Sequence, residues 1–312
     1  MDPSTGRPVV GRFAPSPTGP LHLGSLVAAV GSYLLARRAG GRWLLRIEDL
    51  DEPRVVPGTT DDFLRTLEAL GLDWDGEVVF QSRRLAAYEE ALDRLLARAN
   101  AYPCGCTRAE VARAASAPEA GDEGPVYPGT CRDGLPPSRA VRAVRVRVDD
   151  EPVAFEDGVA GPVARRLSTC AGDFVIKRAD GPFAYQLAVV VDDGASGVTQ
   201  VARGADLLAS TPRQIHLQRL LGLPMPRYFH LPLVTGPAGT KLSKRENTVS
   251  LAAGRNLACD GGDLVLGALR FLGQTPPTEL QGAPAPAVLA WARESFEPAW
   301  IPRGAGPFPS TP

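Results

Sequence analysis

The 312-residue sequence predicts an α/β protein: a doubly wound parallel sheet, interrupted by an insertion and followed by a short helical region. Three observations lead there. Short apolar runs alternate with segments of helical apolar spacing through the first hundred residues, the pattern of strands joined by crossover helices. The rhythm breaks near Tyr102: residues 104–140 are rich in Cys, Gly, Pro and Ala and carry no long periodic element. Sheet and helix patterns then resume, in a length that suits one large domain or two ordinary ones at about 100–200 residues each. The resulting division is 1–103 for the first half of the sheet domain, 104–180 for the insertion, 181–250 for the second half and 251–312 for a short helical region and tail.

The elements follow in order. Residues 9–13 read as a strand, and Pro15, Pro17 and Pro20 exclude a helix from the turn at 14–20. Residues 21–38 form a Leu- and Ala-rich helix stopped by Gly40 and Gly41. Residues 43–47 are a buried strand, followed by an acidic run at 48–52. Segments 59–70 and 83–100 have helical spacing, with a strand at 78–80 between them. Residues 117–125 read as a solvated loop, and 141–148 largely alternate apolar residues with Arg, as a half-exposed strand does. Further strands are expected at 174–177 and 187–191, and a Pro- and Gly-rich tail at 302–312 is expected to fray.

Composition removes several classes. At 44% hydrophobic the chain can build a core, so a wholly disordered protein is excluded. Its 33 Gly and 30 Pro have no period, which excludes collagen. A formal net charge of −1 leaves no basic coat for nucleic acid, so any RNA contact is local. No apolar run reaches the ~18 residues of a membrane span. The first residues lack a basic-then-apolar leader, so a cytoplasmic location is expected. Five Cys in such a chain argue against a disulfide framework and for metal ligation where they cluster. All but three of the 34 basic residues are Arg, and two of the three Lys, Lys241 and Lys244, sit in one short loop. That loop calls for compact ammonium groups rather than planar guanidinium groups.

Three constellations carry chemistry. In the first, Arg12-Phe13-Ala14-Pro15-Ser16-Pro17-Thr18-Gly19-Pro20-Leu21-His22-Leu23-Gly24-Ser25, a turn feeds a helix N-terminus. Free backbone N–H groups and the positive dipole end suit phosphate. His22, expected in the first helical turn, can donate a ring N–H to it, and Gly24 lets a flat ligand approach the backbone. In the second, Gly239-Thr240-Lys241-Leu242-Ser243-Lys244-Arg245, Lys at i and i+3 makes a cationic loop able to clamp a triphosphate as charge builds on pyrophosphate. The third is Cys104-Gly105-Cys106 with Tyr127 and Cys131. Three thiolates suit a tetrahedral zinc site whose fourth ligand is N or O, and the Tyr127 phenolate could fill it. Spacing alone leaves reduced, buried cysteines as an equal alternative. Cys170 and Cys259 are unclustered and read as structural.

The first two strings together resemble the class I aminoacyl-tRNA synthetases. His22-Leu23-Gly24-Ser25 stands where that family has its HIGH tetrapeptide, and Lys241 to Arg245 where it has its KMSKS loop. The long first string, with Arg46-Ile47-Glu48-Asp49 after it, is similar to the glutamate-specific branch. The Cys-x-Cys and Tyr-x-x-x-Cys pair resembles the glutamyl-queuosine tRNA(Asp) synthetases, truncated paralogues of glutamyl-tRNA synthetase. One departure is the stretch between Cys106 and Tyr127, longer than is usual there, which makes Tyr127 the least secure ligand.

The resemblance implies a Rossmann-type catalytic domain with a zinc-bearing insertion, and it implies roles. His22, Lys241 and Lys244 would be catalytic; His22, Gly24, Lys241, Ser243 and Lys244 would hold ATP. Arg12, Phe13, Ala14, Pro15, Ser16, Glu48, Tyr185 and Arg203 would form the glutamate pocket, with Glu48 receiving the α-ammonium. A carboxylate at the C-terminal end of a strand is well placed for that. Arg203 suits a substrate carboxylate, the alternative being an ion pair with Asp206. Apolar Val189, where some ordinary glutamyl enzymes have Asn, is compatible with the paralogue. One structural Zn²⁺, and Mg²⁺ accompanying ATP, are the implied ions. The implied partners are L-glutamate, ATP and tRNA(Asp) containing queuosine, acting on a monomer without membrane contact. Only 67 residues follow Arg245, fewer than an anticodon-binding domain of about 100 residues needs. The competing readings are a shortened glutamyl- or glutaminyl-tRNA synthetase charging a tRNA 3′ end, a silent zinc module that binds RNA, and a nucleotidyltransferase with a related turn.

Overall fold

The computed structural model describes residues 6–114, 125–137, 139–178, 181–236, 250–252 and 254–309. The cationic loop at 239–245 and the loop expected at 117–125, save its last residue, lie outside them.

The first half runs β1 (Val10–Phe13), α1 (Leu23–Arg38), β2 (Arg42–Ile47), α2 (Thr59–Ala69), β3 (Val79–Phe80) and α3 (Leu85–Ala97). β1, β2 and β3 pair in parallel, with Arg12 opposite Leu44 and Arg46 opposite Val79. Each expected element is present within a few residues, because apolar period and breakers agree here. Helix α1 buries residues on every side, as a helix between two layers must. It approaches the strands so closely that a Cβ on Gly31 would stand 2.7 Å from Leu231 Cδ1.

The chain continues as β4 (Ala101–Cys104), α4 (Arg108–Ala114), β5 (Ala143–Val146), β6 (Pro152–Asp157), β7 (Gly161–Arg166), the single turn α5 (Leu167–Cys170) and β8 (Val175–Lys177). β4, β5 and β8 form an antiparallel sheet. The hairpin β6–β7 instead joins the sheet of the second half, where Asp157 lies opposite Tyr228.

The second half comprises α6 (Tyr185–Ala195), β9 (Gln200–Gly204), α7 (Thr211–Leu221), β10 (Arg227–Leu231) and β11 (Leu233–Thr235). β9 and β10 are parallel, with Arg203 directly opposite His230. The two halves meet where Thr199 donates its N–H to the Val10 carbonyl at 3.0 Å and Val10 N–H returns to Thr199 Oγ1 at 2.9 Å. α8 (Leu257–Phe271), α9 (Ala285–Ser295) and a final strand β12 (Ala305–Pro307) complete the chain.

Two expectations are corrected. Residues 187–191 are not a strand but the middle of helix α6, with Leu187, Ala188, Val189 and Val190 fully buried. A short continuous apolar run fits a buried strand and a buried helix equally, and packing against its neighbours decides. The tail does not fray through Pro309: β12 pairs in parallel with β11, Arg303 Nε donates to the Val159 carbonyl at 2.9 Å, and Phe308 stacks on Phe271 at 6.0 Å. Pro and Gly exclude a helix there but not an edge strand, where a missing N–H costs nothing.

Candidate active site

The turn at 14–20 is tied down by its backbone: Glu48 N–H donates to the Pro15 carbonyl at 3.0 Å and Val56 N–H to the Pro17 carbonyl at 2.9 Å. Phe13 turns its ring into the core, stacked 6.2 Å from Trp43, so its share of the turn is backbone. Ser16 is exposed at the tip. His22 is the N-cap of α1 rather than a first-turn residue: its backbone is extended (φ −118°, ψ 177°) and Nδ1 accepts the Ser25 N–H at 3.3 Å. That bond sets the tautomer. Nδ1 is the bare nitrogen, so Nε2 carries the proton and is a donor. Burial holds the imidazole below its ordinary pKa, against the pull of Asp206, so the neutral donor form persists. A Cβ on Gly24 would stand 3.0 Å from the His22 ring, so Gly24 makes room for the imidazole itself as well as for any ligand.

Behind the turn lies a buried lattice of charge. Arg12 and Arg46 both reach Asp193, at 3.3 and 2.6 Å, and Arg46 also reaches Glu48 at 3.2 Å. Asp192 takes Gln81 Nε2 at 2.8 Å, the Tyr88 hydroxyl at 2.7 Å and the Arg84 guanidinium. Burial raises the Asp193 carboxyl, yet Arg12 and Arg46 bring it below the ordinary carboxylate value. Glu48 goes the other way: burial holds it above its ordinary value despite Arg46 and Arg12. A carboxylate that burial holds above its ordinary value gains from a further cation beside it. Desolvation raises the Tyr185 hydroxyl above its ordinary pKa, with Arg203 pulling it down and Glu48 pushing it up, and Arg203 Nη1 stands 3.3 Å from it. Arg203 is buried and bonds Tyr185, His230 and Thr211, not the Asp206 carboxylate of the surface-pair alternative.

Lys241, Ser243 and Lys244 lie outside the described residues. The ends of their loop do not. β11 leads into it beside β12, and on its far side Leu251 N–H donates to the Leu21 carbonyl at 2.9 Å, one residue before His22.

Residues 8–278 match the family described as tRNA synthetases class I (E and Q), catalytic domain. A glutamyl-Q tRNA(Asp) synthetase from Geobacter sulfurreducens is 66% identical over 99% of both chains. One from Dechloromonas aromatica is 56% identical over 95% of this chain and 96% of its own. The chain belongs to the glutamyl-Q tRNA(Asp) synthetase family. Among solved structures, the glutamate-tRNA synthetase of Elizabethkingia anophelis superposes with a TM-score of 0.80 at 25% identity, over 97% of this chain and 68% of that one. A glutamate tRNA ligase from Elizabethkingia meningosepticum, solved with its amino acid, gives 0.80 over 98% and 68%.

In this synthetase the cysteine constellation assembles at the end of β4. Cys104, Cys106 and Cys131 place their sulfurs within 4.8 Å of one another, and Cys106 and Cys131 are 3.6 Å apart. Tyr127 Oη stands 3.4 Å from Cys104 Sγ and 3.8 Å from Cys106 Sγ, and accepts the Cys131 N–H at 2.9 Å. A tetrahedron with zinc–sulfur bonds of about 2.3 Å calls for sulfurs about 3.8 Å apart and a phenolate oxygen about 3.5 Å from each. The donor set and these spacings fit zinc. Arg145 Nε donates to Cys104 Sγ at 3.3 Å, with its guanidinium carbon 3.7 Å from the Tyr127 ring centroid, and Arg139 approaches Cys106 Sγ at 3.9 Å. Such second partners stabilise thiolates.

Sequence reading passed over Asp192, Asp193, Asp157 and His230. The adjacent acids at 192–193, inside an apolar run, were the available signal; His230, in a run read for no role, gave none.

Proposed function

We propose that the chain activates L-glutamate with ATP and transfers the glutamyl group to queuosine at the wobble position of tRNA(Asp). One observation carries the reading. Arg203 Nη1 stands 3.3 Å from the Tyr185 hydroxyl, and the Glu48 carboxylate acts on the same hydroxyl electrostatically. An anion and a cation held apart this way suit an amino acid that brings an ammonium and a second carboxylate. The relatives' names supply the acceptor.

In the first step a carboxylate oxygen of the substrate's α-carboxyl attacks the α-phosphorus of ATP in line. The bond to the bridging oxygen breaks and pyrophosphate leaves. No protein nucleophile is needed, so the residues work by position and charge. Glu48 holds the ammonium and Arg203 the side-chain carboxylate. His22, with Nε2–H, supports the phosphate oxygens, and Lys244, assisted by Lys241, offsets charge on the departing pyrophosphate. Mg²⁺ travels with ATP, held by phosphates and water. In the second step a hydroxyl of the queuosine cyclopentenediol attacks the glutamyl carbonyl and AMP leaves. The zinc held by Cys104, Cys106, Tyr127 and Cys131 is structural. The expected outcome with labelled glutamate and ATP is label on queuosine-containing tRNA(Asp), retained when the 3′-terminal adenosine has been removed, and none on queuosine-free tRNA(Asp). Label confined to the 3′ end of tRNA(Glu) would replace this reading with the shortened synthetase.

A further inference from the structure

The proposed pocket leaves one arrangement unused, and it lies directly behind Arg203. β9 and β10 place Arg203 and His230 opposite one another in register. Arg203 Nε donates to His230 Nε2 at 3.2 Å. His230 Nδ1 lies 2.6 Å from Asp157 Oδ2, and both side chains are fully shielded from solvent. Asp157 is itself held by three backbone donors through Oδ1: Ala160 N–H at 2.8 Å, Val159 N–H at 3.0 Å and His230 N–H at 3.2 Å. A carboxylate so saturated with donors accepts from His230 and does not donate. The proton on His230 therefore sits on Nδ1 and leaves Nε2 as the acceptor for Arg203. Burial keeps the ring neutral against the pull of Asp157, which agrees with that assignment. A protonated ring would set N–H against N–H and cation against cation.

The guanidinium is tied on a second side as well. Nη2 donates to Thr211 Oγ1 at 2.8 Å and reaches the Leu207 carbonyl at 3.5 Å. With Nε and Nη2 engaged, Nη1 is the nitrogen directed at Tyr185, 3.3 Å from its hydroxyl. A free Arg has several rotatable bonds and loses entropy when it meets a ligand. An Arg held by a relay has lost it beforehand.

We propose that Asp157, His230 and Thr211 are positioning residues that aim the Arg203 guanidinium, and that this relay sets the preference for a substrate with a side-chain carboxylate over its amide. The proposal rests on Arg203 being part of the amino-acid pocket.

The test uses the full, metal-loaded chain, with tRNA present and absent. Glutamate binding is measured by calorimetry, and glutamate-dependent ATP–pyrophosphate exchange gives KM and kcat. His230→Leu is expected to weaken glutamate binding at least about tenfold, with KM for ATP within about twofold of wild type and the glutamine-to-glutamate preference raised. His230→Gln puts an amide oxygen near the place of Nε2 and is expected to restore binding to within about threefold. Thr211→Val, which keeps the shape and removes the second tie, should show a smaller shift in the same direction. A merely structural role would lower the active fraction, and so kcat, while leaving KM for glutamate alone. Unchanged glutamate affinity in folded His230→Leu and Thr211→Val overturns the relay, provided Arg203→Lys does weaken binding. If Arg203→Lys leaves binding unchanged, the pocket assignment itself has failed.

Discussion

At the scale of single residues the pocket reads as a balance between desolvation and charge. Glu48 illustrates it. Its carboxyl is raised by burial, and only its ionised form receives an ammonium. KM for glutamate is therefore expected to rise as pH falls through this raised pKa, above the ~4.3 at which free glutamate's own side chain titrates. In Glu48→Gln that acidic limb disappears and affinity falls at all pH values. A wild-type limb no higher than ordinary carboxylate titration refutes the assignment. Lys244→Ala is expected to keep glutamate binding while lowering pyrophosphate exchange at least ~100-fold; unchanged exchange removes Lys244 from the mechanism. Arg12, Glu48, Tyr185 and Arg203 were singled out because each stands in a recognisable string. His230 was not, because one polar residue in an apolar stretch carries no local sign of what it will face, and the paired acids Asp192 and Asp193 signalled burial without naming their partners.

Elements were legible to the degree that their local signals agreed. α1 has breakers at both ends and a uniform apolar body, and it forms as expected. α6 and β12 did not follow their local reading, since burial from all sides makes one a helix and a neighbouring edge makes the other a strand. β4 and the loop carrying Tyr127 and Cys131 come together as one small cluster with Tyr102 and Val111. Too small to be a core in its own right, that cluster is of the kind a metal cross-link stabilises. Elemental analysis of the wild type is expected to find about one zinc per chain, lost when Cys104 and Cys106 are both Ser. A metal-free wild type rejects the site.

At the scale of the whole molecule, the charge lattice joins parts distant in sequence: Arg12 from β1, Arg46 from β2 and Asp193 from α6 meet, and all three are buried. Removing one member strands the others. Asp193→Ala is expected to destabilise the fold by about 3–5 kcal/mol in urea titration, and a loss below 1 kcal/mol would show that the lattice relaxes. The pH dependence has a definite sign. Because its folded pKa lies below the ordinary carboxylate value, Asp193 contributes its full stabilisation above that value and loses it as pH falls through the folded one. The sequence by itself determined the alternation of strand and helix, the His22 turn, the cysteine spacing and the resemblance they carry, since all of these are encoded in short strings. Only the tertiary structure decided which charges share a pocket, which way the His22 and His230 imidazoles hold their protons, and that the tail becomes a strand. Those outcomes depend on partners brought together across nearly 200 residues of chain, as Arg12 and Asp193 are across 181, and no local pattern records a partner that far away.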